Sequence, residues 1–263
     1  MDSIEKTIAG KLEQSQIWHK HIENDINNAK QMASNFEVLE IHQAAKAIAD
    51  KKYNKALQHF HSASLLDKLR VEYFNITLFD YKISSVLQPL LSNNDSLINE
   101  FSKLSYKSHG QRHAMEHYVN QGDSPIWVNT IQHLMIGDFE KVKRNITIIE
   151  NITLPKLPKD QQELIIDYTF FKALIEKDKN KCEEQINLLI SDNIHKRRNQ
   201  NHILNLYLSQ PALGYAKLAW KLGVKVEFDS PFLPRELICS EPLDKYEIQY
   251  DFINDIELLI TKN

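Results

Sequence analysis

The stretch PALGYAKLAWKLG, residues 211–223, reads as a complete helix with its own start and stop. Proline near the start costs no hydrogen bond, because the first amide donors of a helix have no intrahelical acceptor. Leu213, Ala216, Leu218, Ala219 and Trp220 then recur at helical spacing, and Gly223 stands where a left-handed residue would end the helix. The same grammar runs outward through nearly everything N-terminal to it. Ser34 and Glu37 have capping-box spacing and lead into Val38, Ile41, Ala44, Ala45 and Ile48. Ser124 and Pro125 open a helix with Trp127, Ile131, Leu134 and Met135 on one face. Asp160 is expected to open another, with Leu164, Ile165, Tyr168, Phe171 and Leu174. The clearest breaks are LSNNDS (91–96), NQGDSP (120–125) and LPKLPKD (154–160).

Three segments repeat a pattern. KKYNKALQHF (51–60), GDFEKVKRNI (137–146) and KDKNKCEEQI (177–186) each follow an apolar helix. Each has a short polar turn, then a small or medium apolar residue (Ala56, Val142, Cys182) four residues after the turn begins at Lys52, Asp138 or Asp178. A small residue there lets two antiparallel helices approach closely, as in tetratricopeptide-like hairpins. The segments start 86 and 40 residues apart, so no strict repeat period exists. The expectation is an all-α fold of antiparallel helical hairpins, tetratricopeptide-like in places, over one domain, 1–263.

Composition narrows the function. Six glycines in 263 residues are few, and neither GxGxxG nor GxxxxGK[ST] is present, so phosphate-cradling nucleotide folds are excluded. A net charge of −3 does not favour nucleic-acid binding. Cys182 and Cys239 are isolated thiols, which make neither a disulfide framework nor a zinc knuckle. The opening MDSIEKTIAGKLEQ lacks the apolar core of a secretory signal, and no run approaches the ~18 apolar residues of a membrane span. A cytoplasmic protein without cofactor or membrane contact is expected.

Two local patterns suggest chemistry. SHGQRHAMEHYV (108–119) spaces His109, His113 and His117 by four, and spells His-x-x-Glu-His over His113, Glu116 and His117. On a continuous helix from 96 to 119, a histidine pair of this spacing could hold zinc, with Glu116 as general base. No third ligand is indicated, so His113 and His117 are weak metal candidates and the face reads better as a wet helix surface. HKRRNQNH (195–202) groups Lys196, Arg197 and Arg198, which suit a clamp for phosphate or RNA, or else a solvated helix start or internal ion pairs.

After Gly223 the character changes. VKVEF (224–228) alternates like a short strand, and DSPFLPREL (229–237) cannot be helical throughout. Tyr246, Ile248, Tyr250 and Phe252 alternate, whereas Phe252 and Ile256 step like a helix. This predicts a small irregular or β-containing C-terminal element. Residues 227–257 carry nine acids against two bases. Such a block is either a solvated acidic element or a surface for a basic partner.

The segment SQPALGYAKLAWKLGVKVEFDSPFLPRELI (209–238) resembles the C-terminal signature of the immunity protein 49 family of bacterial polymorphic toxin systems. AAKAIADKKYNKAL (44–57), DSPIWVNTIQHLMIGD (123–138) and the paired Arg197 and Arg198 also resemble that family, most clearly over 120–240. The resemblance implies a non-enzymatic cytoplasmic protein that binds and neutralises a cognate toxin, with no metal and no direct nucleic-acid contact. Within the signature, Gly223, Asp229, Ser230, Pro231, Pro234 and Arg235 read as scaffold, since surfaces that discriminate toxins must differ between members. The acidic C-terminal element, 241–263, then offers Asp244, Glu247, Asp251 and Asp255 as contacts for a basic toxin, for instance of the nuclease type. The rival readings are a helical-repeat adaptor for an endogenous peptide and, more remotely, a zinc-dependent hydrolase built on His113, Glu116 and His117.

Overall fold

The computed structural model describes residues 3–199 and 201–260, so the last three residues of the acidic element lie outside the described residues. The fold is all-α. Its helices are α1 (Ser3–Asn24), α2 (Ala29–Ala49), α3 (Tyr53–Glu72), α4 (Ile83–Ser92), α5 (Asp95–Phe101), α6 (Met115–Asn120), α7 (Pro125–Met135), α8 (Phe139–Ile148), α9 (Leu164–Glu176), α10 (Lys179–Leu189), α11 (Asp192–Arg198), α12 (Gln210–Lys221), α13 (Arg235–Ile238) and α14 (Asp251–Ile260). No strand or sheet occurs among the described residues.

The three repeated segments are helical hairpins, α2–α3, α7–α8 and α9–α10, and they share one turn. Lys51, Gly137 and Lys177 sit in the left-handed region, at φ +58°, +68° and +59°. The amide after each reaches back five residues: Lys52 to the Ala47 carbonyl at 2.7 Å, Asp138 to His133 at 3.0 Å, Asp178 to Ala173 at 2.9 Å. This is the Schellman closure, which satisfies carbonyls the helix end leaves open. Asp138 and Asp178 then cap the second helix through the amides of Lys141 and Lys181. Ala56, Val142 and Cys182 are fully buried, as their place between two helices requires.

The helix α12 lies in the core. Pro211 is in its first turn, and Gly223 (φ +86°) ends it by the same closure, Val224 N–H donating to Ala219 O at 2.8 Å. Gly214 lets α12 approach α4: a Cβ there would fall 2.9 Å from Leu87 Cδ2. Beside it, Tyr215 stacks on Phe170 of α9, with ring centroids 4.4 Å apart. Nearly all the buried apolar residues form one cluster running from Ile4 to Ile256.

Four local expectations are corrected. The helix expected over 96–119 ends at Phe101 and resumes at Met115. Long-range bonds hold the intervening chain: the Asn75 side chain clamps both polar groups of Lys107, at 2.7 and 3.0 Å, and Arg112 donates to the Asn75 carbonyl. His109 and Arg112 pair through their own backbones around Gly110, a left-handed turn at φ +59°. Ser34 and Glu37 cap nothing, since both lie inside α2. Asp160 falls in a short 3-10 turn, and the helix proper starts at Leu164. Residues 224–228 form no strand, because side chains take the backbone groups a neighbouring strand would use. Trp220 Nε1 donates to Val226 O, and Glu183 accepts from Glu227 N–H.

Beyond α13 an extended strap, 240–250, crosses the body before α14. It is fastened by Asn93 to the Ser240 carbonyl, Tyr246 Oη to the Ser92 carbonyl, two bonds between the Gln58 side chain and the Glu247 backbone, and Tyr250 Oη to Glu40. The ambiguous segment thus divides at Asp251: its first half is extended and its second helical.

Candidate functional site

The four acidic candidates are all exposed and form no ion pair with a described residue. Other acids of the block are tied down: Glu227 pairs with Lys179 and Glu257 with Lys68, each at 3.3 Å. The structure brings Asp251 and Asp255 together but leaves Asp244 and Glu247 apart from them, on the strap. Asp251 and Asp255 project from the first turns of α14 into a groove of about 590 Å³, whose other wall is the end of α1. That wall contributes Glu23 and Asp25, so four carboxylates line the groove with no lysine or arginine among its lining residues.

The groove is also aromatic. His19 of α1 and Phe252 of α14 line it, and both rings pack on the fully buried Phe36, at centroid distances of 4.7 and 5.7 Å. Like charges that line one groove with no lysine or arginine in its wall add nothing to the chain's own stability and are well placed for a cationic partner. Glu23 and Asp25 could not be read from the C-terminal block. They lie more than 220 residues from Asp251 and Asp255 in sequence, and only the docking of α14 on α1 unites them.

The basic run has the opposite environment. Arg198 is 9% exposed and binds Asp167 of α9 with both arms, at 2.6 and 2.8 Å. Tyr215 Oη donates to the same carboxylate, and Arg197 pairs with Glu163 at 2.8 Å. Burial opposes the charge on Arg198, but Asp167 outweighs it and raises its pKa further. Burial likewise pushes the Tyr215 phenol well above its usual range. The arginines thus fasten α11 to α9 and α12, and the phosphate-clamp reading has no free guanidinium at Arg198 to use. His195 is buried and its Nε2 meets the Asn205 carbonyl at 2.7 Å.

The histidine stretch is not a helix face. His113 precedes α6 and His117 lies within it, their rings tilted by 30° with centroids 4.0 Å apart. Glu116 is held by Arg144 at 3.1 Å. Among the described residues, no three His, Cys, Asp or Glu side chains are grouped to hold a metal ion.

The signature residues lie at turns. Ser230 Oγ accepts from Phe232 N–H and its carbonyl from Leu233 N–H, and Pro234 precedes α13. The Phe232 carbonyl in turn accepts from Ser209 N–H at the start of α12, so the 229–234 turn is stitched to the helix that precedes it. Asp229, Pro231 and Arg235 are exposed. Lys217, on α12, carried no signal in the sequence. It is 4% exposed, its Nζ donates to Ser240 Oγ at 2.8 Å, and burial lowers its pKa to about 7.

No curated protein and no solved structure matches the chain at a significant level. A family model does, from residue 17 to residue 237. That range spans α2 to α12 with their shared turns and the Asp167–Arg198 bracket, and ends before the strap and α14. The chain belongs to the Immunity protein 49 family.

Proposed function

We propose that the chain acts as one unit, in the cytoplasm and without catalysis, to neutralise a cognate toxin by binding it one-to-one and covering its working surface. The groove between α1 and α14, with Asp251 and Asp255, is the proposed centre of contact, and Asp244 and Glu247 extend it along the strap. The observation that carries this reading is a family membership that names immunity, joined to a groove lined by four carboxylates and, among the described residues, by no lysine or arginine. Partner discrimination belongs on surfaces that differ between relatives. Most of the proposed contact lies past residue 237, outside the matched region. A toxin with a basic surface, such as a nuclease domain, fits. No helix among the described residues is long and apolar enough to cross a membrane, so the reading needs no membrane step.

The test is co-expression with the toxin encoded beside it, followed by binding kinetics. Rescue of growth and a stable one-to-one complex are expected. Replacing Asp244, Glu247, Asp251 and Asp255 by lysine should slow association about tenfold or more at low salt, and the difference should shrink at high salt. Unchanged association would remove the acidic surface from the mechanism. Absence of rescue by the unaltered chain would remove the toxin reading itself.

A further inference from the structure

The strap, 240–250, is an extended segment on the surface, and its two edges are treated differently. In an extended chain successive residues turn their backbone N–H and C=O groups to opposite edges and their side chains to opposite faces. Glu247 turns both groups to the Gln58 side chain, at 2.9 and 3.0 Å, so that edge is closed at its centre. Tyr246 and Ile248, on either side of it, turn theirs to the other edge, where neither backbone bonds to a described residue.

The two faces differ as well. Tyr246 and Tyr250 anchor the inner one. The Tyr246 ring packs on the buried His61, with centroids 4.7 Å apart, and Tyr250 is buried with its Oη donating to Glu40. Anchors on both sides of Ile248 hold its backbone in one place, so little chain entropy remains to be lost when a partner pairs with it. Ile248 shares the inner face, yet is 43% exposed. Lys245, Glu247 and Gln249 alternate with these residues and face water. Past Tyr250 the chain enters the acidic groove, which Gln249 and Asp251 both line.

We propose that the open edge of the strap is a docking strand, along which an extended segment of the toxin pairs through the backbones of Tyr246 and Ile248. The proposal rests on the toxin reading above and specifies how the toxin is held. In such an addition main-chain bonds supply affinity, and side chains on alternate residues supply the choice of partner. The toxin segment is apolar on one face and basic on the other. Its apolar face covers Ile248, and its basic face meets Glu247 and, at the mouth of the groove, Asp251. Opposite charges on one face of paired strands attract and like charges repel, so an acidic segment is the poorer occupant.

The test is residue-resolved hydrogen exchange by NMR, on the full chain alone and with the toxin encoded beside it. In the free chain the Tyr246 and Ile248 amides should exchange nearly as fast as in an unfolded peptide. In the complex both should slow about tenfold or more, while Glu247, already bonded to Gln58, changes least. Ile248→Pro removes the donor at the open edge without touching the Gln58 bonds, and should weaken the complex about tenfold. Ile248→Ala keeps that donor and should cost less. Amides already protected in the free chain, a complex in which they exchange as before, or equal affinity of the two variants would overturn the strand pairing and leave the immunity reading standing. A chain that forms no complex would remove the immunity reading and this proposal with it.

Discussion

Residues 195–198 and residues 244–255 are both charge runs, one basic and one acidic, yet the first has its two arginines paired with acids of the chain, whereas Asp244, Glu247, Asp251 and Asp255 of the second pair with no described residue. Arg198 is enclosed by Asp167 and Tyr215 from two other helices, whereas Asp251 and Asp255 meet further carboxylates from α1. The sign of a run therefore says little about its role; what matters is the charge that folding brings opposite it. A paired run is a fastener. An unpaired run of one sign adds repulsion within the chain and an attractive field outside it.

The largest effect expected from this contrast is at Arg198. Arg198→Met leaves the Asp167 carboxylate buried beside Tyr215 alone, and should cost about 3–5 kcal/mol in urea unfolding. The pair Asp167→Leu with Arg198→Met should recover part of that loss, since no orphan charge remains. A single-variant cost under about 1 kcal/mol would mean that the bracket is not a fastener.

Lys217 sharpens the comparison, being buried with a hydroxyl rather than a carboxylate on its Nζ. Its folded pKa is lowered to about 7, from an ordinary 10.5. Between these values the unfolded chain binds more protons than the folded one, so stability should rise with pH from about 7 to about 10.5. Below 7 the residue is protonated in both states and adds no slope. Denaturant midpoints measured across this range should lose the rise in Lys217→Met.

Gly214→Ala probes packing without touching charge. Alanine favours the helix, but its Cβ would press on Leu87 of α4, so a net loss of about 1–3 kcal/mol is expected in the same assay. The smallest change should come from Asp251→Lys with Asp255→Lys. These exposed sites should shift folding stability by no more than about 0.5 kcal/mol, even while toxin association falls. A larger loss of stability would show that these two carboxylates already have a counter-charge within the chain and would erase the contrast with Arg198.

Much of the helical frame was legible because it is locally encoded. Pro125, Pro211, Gly137 and Gly223 mark helix ends, and the spacing around Ala56, Val142 and Cys182 gave the three hairpins. The misreadings share a cause in long-range bonding. Asn75 and Arg112 hold the 102–114 segment out of the helix that its periodicity favours. Glu37, which has a capping residue's spacing, instead meets Gln88 and Lys82 from α4 and the turn before it. The acidic candidates were half visible for the same reason: Asp251 and Asp255 stand in a charged block, but Glu23 and Asp25 become their neighbours only when α14 docks.

The two bonds between Gln58 and Glu247 bear on solubility. Gln58 Nε2 donates to the Glu247 carbonyl at 2.9 Å, and Gln58 Oε1 accepts its amide at 3.0 Å. A single side chain thus supplies one rung of the ladder that a neighbouring strand would otherwise provide. An extended segment with open backbone groups is a template for pairing with another molecule, and charged side chains are a common defence. Here the amide of Gln58 occupies the middle of that edge, and the carboxylates of Asp244 and Glu247 repel a second strap. The acids proposed to draw in a toxin would then also keep free copies of the chain from aggregating through their straps before a toxin arrives.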